Sequence, residues 1–145
     1  MAAPNDDTLV QRMVRAINTH DLDALVACFA EDYVNETPAH PMRGFRGREQ
    51  VRRNWSQILA GVPDLRARVP RTAVDGTTVW SEWELSGTRA EREPFELRGV
   101  VIFGVAGGAA AWARFFLEPL DVTTGDVDTA TARMVGNTTN VEEAS

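Results

Sequence analysis

The sequence predicts an α+β fold in which three N-terminal helices lie against one face of a curved antiparallel sheet. Three observations predict it. Apolar residues recur at three- and four-residue spacing as far as Leu59, strand-like segments joined by turn dipeptides follow from Leu65, and 145 residues with 43% hydrophobic content suffice for one buried core. Helices first and hairpin-linked strands afterwards segregate the two kinds of element, which is the α+β arrangement.

Asp6, Asp7 and Thr8 stand where a first helix needs a cap, and Leu9, Val10, Met13, Val14 and Ile17 form its apolar stripe. Asn18-Thr19-His20-Asp21 breaks the pattern, and Asp21 caps a second, short helix carrying Leu22, Leu25, Val26 and Phe29. Tyr33 to Thr37 reads as a short strand and Pro38 to Gly44 as a loop. The third helix runs from Gly47 to Leu59 with Val51, Trp55, Ile58 and Leu59 on one side, and Gly61 closes it. Strands are expected at Leu65 to Val74, Thr77 to Ser86, Phe95 to Val105 and Ala110 to Glu118. They are separated by Asp75-Gly76, a charged loop at Arg89 to Glu93, and Gly107-Gly108. The whole of 1–145 reads as one domain, with a core at about 8–120 and a tail over 121–145 that holds one short helix near Val127 to Val135.

Composition excludes several function classes. Net charge is −6, the wrong sign for a surface that neutralises phosphates, so nucleic acid is not an expected partner. No apolar run is long enough to cross a bilayer, and Met1 to Asp7 lacks the basic flank and apolar stretch of a signal peptide, so a cytoplasmic protein without a membrane partner is expected. Every basic residue is an arginine, which leaves no lysine amine for Schiff-base chemistry. The lone Cys28 sits among apolar neighbours and reads as an inert buried thiol. His20 and His40 stand apart from each other and from any carboxylate cluster at ligand spacing, so neither a metal nor another cofactor is expected.

The stretch from Val10 through Asn18-Thr19-His20-Asp21-Leu22 to Phe29-Ala30-Glu31-Asp32, then Gly47-Arg48-Glu49-Gln50-Val51, Phe95 to Val105 and Ala110 to Glu118, resembles ketosteroid isomerases and other SnoaL-like proteins of the nuclear transport factor 2-like superfamily. The likeness implies a cone, with the N-terminal helices packed in the concave face of the sheet. It does not choose among isomerase, polyketide cyclase, epoxide hydrolase and non-catalytic binding domain. The positions of the isomerase base, its oxyanion-holding tyrosine and its protonated aspartic acid fall on Thr37, Met13 and Val101, none of which can do that chemistry. The water-activating relay of limonene epoxide hydrolase falls on Trp83, Leu85 and Phe115, so it too is lost, while Asn35 and Thr37 occupy the places of its water-holding tyrosine and asparagine.

Residues two apart on a strand share a face. Given that alignment, Asn35, Thr37, Ser81, Trp83, Leu85, Gly99, Val101, Phe103, Ala113, Phe115 and Leu117 point into the cone, either as a closed core or as the walls of a pocket for a hydrophobic small molecule. Met13, Trp83, Leu85, Val101, Phe103, Phe115 and Leu117 are the expected substrate-binding set, and Asn35, Thr37 and the loop residue His40 the expected polar groups. Trp80, Glu82, Glu84, Arg98, Val100, Trp112, Arg114 and Phe116 fall on the opposite face, where aromatic area beside mixed charge points to a homodimer. A β-bulge would instead bring Glu82 or Glu84, Arg98 and Arg114 inside as an acid/base and anion-holding set.

Overall fold

A computed structural model describes residues 8–123 and 125–137. Helix α1 (Leu9–Asn18) opens on a reciprocal cap. The Thr8 hydroxyl accepts from the Gln11 N–H at 3.1 Å, and the Gln11 side chain accepts from the Thr8 N–H at 3.0 Å. Asp6 and Asp7 lie outside the described residues. Its Leu9, Val10, Met13, Ala16 and Ile17 are buried as one stripe. Asp21 caps α2 (Leu22–Val26) through the Ala24 N–H at 3.0 Å.

Strand β1 (Phe29–Glu36) starts earlier than its residue types suggest, and Phe29, expected on the second helix, opens it. The reason is tertiary: Phe29 pairs with Ala110, whose N–H donates to the Cys28 carbonyl at 2.8 Å. The expected loop contains a turn of 3-10 helix at Pro41–Arg43, and a short strand β2 (Phe45–Arg46) that the sequence did not announce follows it. Helix α3 (Arg48–Gly61) follows, and then a meander of β3 (Arg66–Asp75), β4 (Thr78–Thr88), β5 (Pro94–Ala106) and β6 (Ala109–Pro119).

The six strands form one curved, unclosed sheet in the order β2-β1-β6-β5-β4-β3. Pairing is antiparallel except between β1 and β6, which run parallel, a contact that no hairpin signal could announce. The helices fill the concave side, and the core joins α1 residues Met13 and Ile17 to Tyr33, Leu65, Trp83, Val101 and Phe103. Asn18 ties the end of α1 to β3, donating to the Ala67 carbonyl and accepting from the Ala67 N–H at 3.0 and 2.7 Å. His20, expected as an exposed turn residue, is half-buried and bonds the Leu65 carbonyl through Nε2 at 3.1 Å. Helix α4 (Val127–Met134) buries none of its side chains. Among the described residues no helix is long and apolar enough to cross a membrane.

Candidate functional site

Alternation along β4, β5 and β6 sends Trp83, Leu85, Val101, Phe103, Phe115 and Leu117 to the concave side, beneath Met13 of α1. They enclose a recess lined by apolar and aromatic side chains alone. Trp83 packs edge-on to Phe103 at 6.4 Å between ring centroids, and Phe103 to Phe115 at 6.5 Å. The indole N–H is consumed within the wall: it donates to Ser81 Oγ at 2.8 Å, which in turn donates to the Val101 carbonyl at 2.7 Å. The recess is therefore dry in chemistry as well as in composition. Only about 20 Å³ of it is open, space for a single water.

The recess continues outward, past Phe29, Trp55, Leu85, Phe115 and Leu117, into a wider chamber of about 260 Å³ between α3, β1 and the ends of β5 and β6. Here polar groups appear: Asn35 and Thr37 from β1, Arg43 from the 3-10 turn and Asn54 from α3. Tyr33 is fully buried behind them and donates its hydroxyl to Asn35 Oδ1 at 2.7 Å, while Asn35 Nδ2 faces Thr37 Oγ1 at 3.5 Å. Burial pushes the Tyr33 phenol well above the usual tyrosine range, so it stays a neutral donor. Burial likewise raises the Cys28 thiol, against the lowering pull of Arg12 and Arg15.

The structure separates the remaining sequence candidates from this chamber. His40 Nε2 lies 2.6 Å from Glu118 Oε1, and neither residue lines the cavity. Glu118 alternates out of phase with Phe115 and Leu117, so the pair sits on the outer side of β6. The β4–β5 ladder runs without a break from Thr78 to Thr88, so no bulge turns Glu82, Glu84 or Arg98 inward. Glu82 and Glu84 instead meet Arg71 and Arg68 on the convex face at 3.8 and 2.8 Å, and Arg114 meets Glu36 at 3.9 Å. A register shift between β5 and β6 does occur, but between Gly104 and Val105, beyond Arg114. Sequence reasoning placed Trp55 and Ile58 on one helix face without assigning them to the site, and it missed Arg43 and Asn54 altogether. Asn54 lies three residues after the buried Val51 and next to Trp55, a helical spacing that could have marked it.

The chain is similar to several solved structures. IdmH of Streptomyces antibioticus, a proposed polyketide cyclase, is 22% identical with a TM-score of 0.65 over 75% of this chain and 88% of its own. A Catenulispora acidiphila protein with a ketosteroid isomerase-like fold, solved with trimethylamine, gives 16% and 0.65 over 90% and 95%. AclR of Streptomyces galilaeus, a proposed hydroxylase, gives 16% and 0.66 over 76% of each chain. At these identities the likeness is one of fold. None of the curated proteins matches the sequence at a significant level. The model of the SnoaL-like domain matches residues 10–115, from the first helix to the inward Phe115, and the chain belongs to that family.

Proposed function

We propose that this chain is a small cytoplasmic, cofactor-independent enzyme of the isomerase, cyclase or epoxide hydrolase type that acts on a hydrophobic metabolite. One observation carries the reading: an aromatic recess opens into a chamber that adds a few polar groups, Asn35 and Thr37 first, to an apolar lining. Such a cavity fixes the apolar body of a ligand and polarises an oxygen at its other end. Ring closure of a flexible chain benefits most, because confinement supplies orientation and hydrogen-bond donors stabilise the charge that develops on a carbonyl.

A second reading, a non-catalytic binding domain, is favoured by a different observation. Among the described residues that line the cavity there is no carboxylate, histidine or tyrosine to move a proton. Incubation with polyketide-like ketones and with epoxides, followed by product analysis alongside tryptophan fluorescence, separates the two. Trp55 and Trp83 line the cavity and report occupancy. Turnover abolished by Trp83→Ala supports the enzyme, and saturable quenching without product supports the binding domain. No quenching and no product with any of them would overturn both.

The sheet's convex face supports a proposal about assembly. Trp80 and Phe116 are 49% and 40% exposed there beside Glu82, Glu84 and Arg114, and a second copy placed about a two-fold axis covers the aromatics while opposite charges face each other.

A further inference from the structure

Hydrogen-bond polarity along the chamber wall identifies the polar end of the ligand more closely, and the inference rests on the cavity being a ligand site as just proposed. The buried Tyr33 hydroxyl has one proton and donates it to Asn35 Oδ1, which orients the amide so that its Nδ2 faces Thr37 Oγ1. The Thr37 oxygen is thereby approached by a donor, and its own proton is left for an acceptor in the chamber. An independent chain runs along α3. Arg53 Nη2 donates to Gln50 Oε1 at 2.5 Å and Gln50 Nε2 to Asn54 Oδ1 at 2.8 Å, which holds the Asn54 amide oxygen toward Gln50 and leaves its two N–H groups to donate. Both chains end on residues that line the same chamber. Arg43 lines it as well, and no carboxylate among the described residues pairs with its guanidinium.

From these arrangements we infer that the chamber is a receptor for a hydrophobic carboxylate, its alkyl or aryl body against the Trp55, Ile58, Leu97 and Phe115 wall of the chamber and its carboxylate among Thr37, Asn54 and Arg43. A neutral ketone or alcohol would use one or two of these donors and leave the guanidinium unmatched. A ligand ammonium would be repelled by the Arg43 guanidinium that lines the same chamber. A carboxylate offers two oxygens and about four lone-pair sites, enough for all of them.

The test uses the intact chain and three probes of equal length, octanoate, octanamide and octylamine, titrated at neutral pH by calorimetry and tryptophan fluorescence. Octanoate is expected to bind at least about ten-fold more tightly than octanamide, with octylamine weaker still. The exposed Arg43 can be replaced without disturbing the core. Arg43→Gln should remove most of that preference by weakening octanoate far more than octanamide, and Thr37→Val should weaken octanoate by about three-fold or more through loss of one charge-assisted bond. Added salt should weaken octanoate binding to the wild type and scarcely affect Arg43→Gln. Equal affinity for octanoate and octanamide overturns the carboxylate and leaves the cavity standing. Failure of all three to bind overturns the cavity itself.

Discussion

Tyr33 is the residue on which the polar corner of the cavity turns. With no exposed surface and its hydroxyl committed to Asn35 Oδ1, it orders the amide that in turn faces Thr37. Tyr33→Phe leaves that carbonyl oxygen without its buried donor and should cost about 1–3 kcal/mol in urea unfolding. The same residue sets a pH dependence. Its folded-state pKa is raised by burial, so the neutral phenol favours the native state, and the unfolded chain alone ionises once pH exceeds about 10, the ordinary tyrosine value. Stability from this residue is thus fully present below that pH and falls above it. Unfolding followed between pH 8 and 11 should show an alkaline loss that is shallower in Tyr33→Phe; equal slopes in both proteins would remove Tyr33 as the cause. Legibility at this scale was partial. Asn35 and Thr37 could be placed by strand alternation, whereas the direction of their hydrogen bonds depends on Tyr33, and the role of Asn54 depends on rotamers of Gln50 and Arg53 that no sequence pattern encodes.

Among the elements, β5 has the least room for change. Gly99 adopts φ 155° and lies opposite Leu117, and a methyl group there would come 2.0 Å from the Phe116 carbonyl oxygen and 2.8 Å from Leu117 Cα. Both neighbours are backbone, so β6 itself would have to move. Gly99→Ala should destabilise by about 3 kcal/mol or more, read as a lower urea midpoint, and should loosen the Leu117 wall of the cavity. A midpoint within experimental error of wild type would mean that the ladder yields there. Gly104 answers a different demand, because the Trp112 indole lies over it across the ladder, with Nε1 1.9 Å from where a methyl would stand. Strand faces were legible because period-two alternation in Ser81 to Leu85 and Val101 to Phe103 has one solution once an apolar face must be buried. The start of β1 was not, because Phe29 continues the apolar spacing of α2 and only its pairing partners in β6 decide otherwise.

For the molecule as a whole, the convex face makes the strongest demand. Val127 and Met134 of α4, the tail residues that could have folded over it, are 75% and 79% exposed and cover nothing among the described residues. Light scattering at micromolar concentration should give about twice the chain mass of 16.0 kDa, and Trp112→Glu should return it to the single-chain value while leaving octanoate affinity intact. A wild-type mass of one chain rules the dimer out. The fold was legible because the meander β3 to β6 follows all three helices of the concave side and these elements are announced by their periods. The parallel contact between β1 and β6 was not legible, since it joins segments far apart in sequence with no turn between them. That contact also governs when the protein can take shape during synthesis. Strands β3 to β6 are nearest neighbours in the order in which they leave the ribosome, but β1, made first, has only the two-residue β2 beside it until β6 arrives. The polar corner of the cavity, carried on the earliest strand, is consequently among the last parts to be fixed. Until Ala109–Pro119 has emerged, Phe29 lacks its pairing strand and Tyr33 has only Phe45 of β2 to lie against, so the nascent chain buries both incompletely.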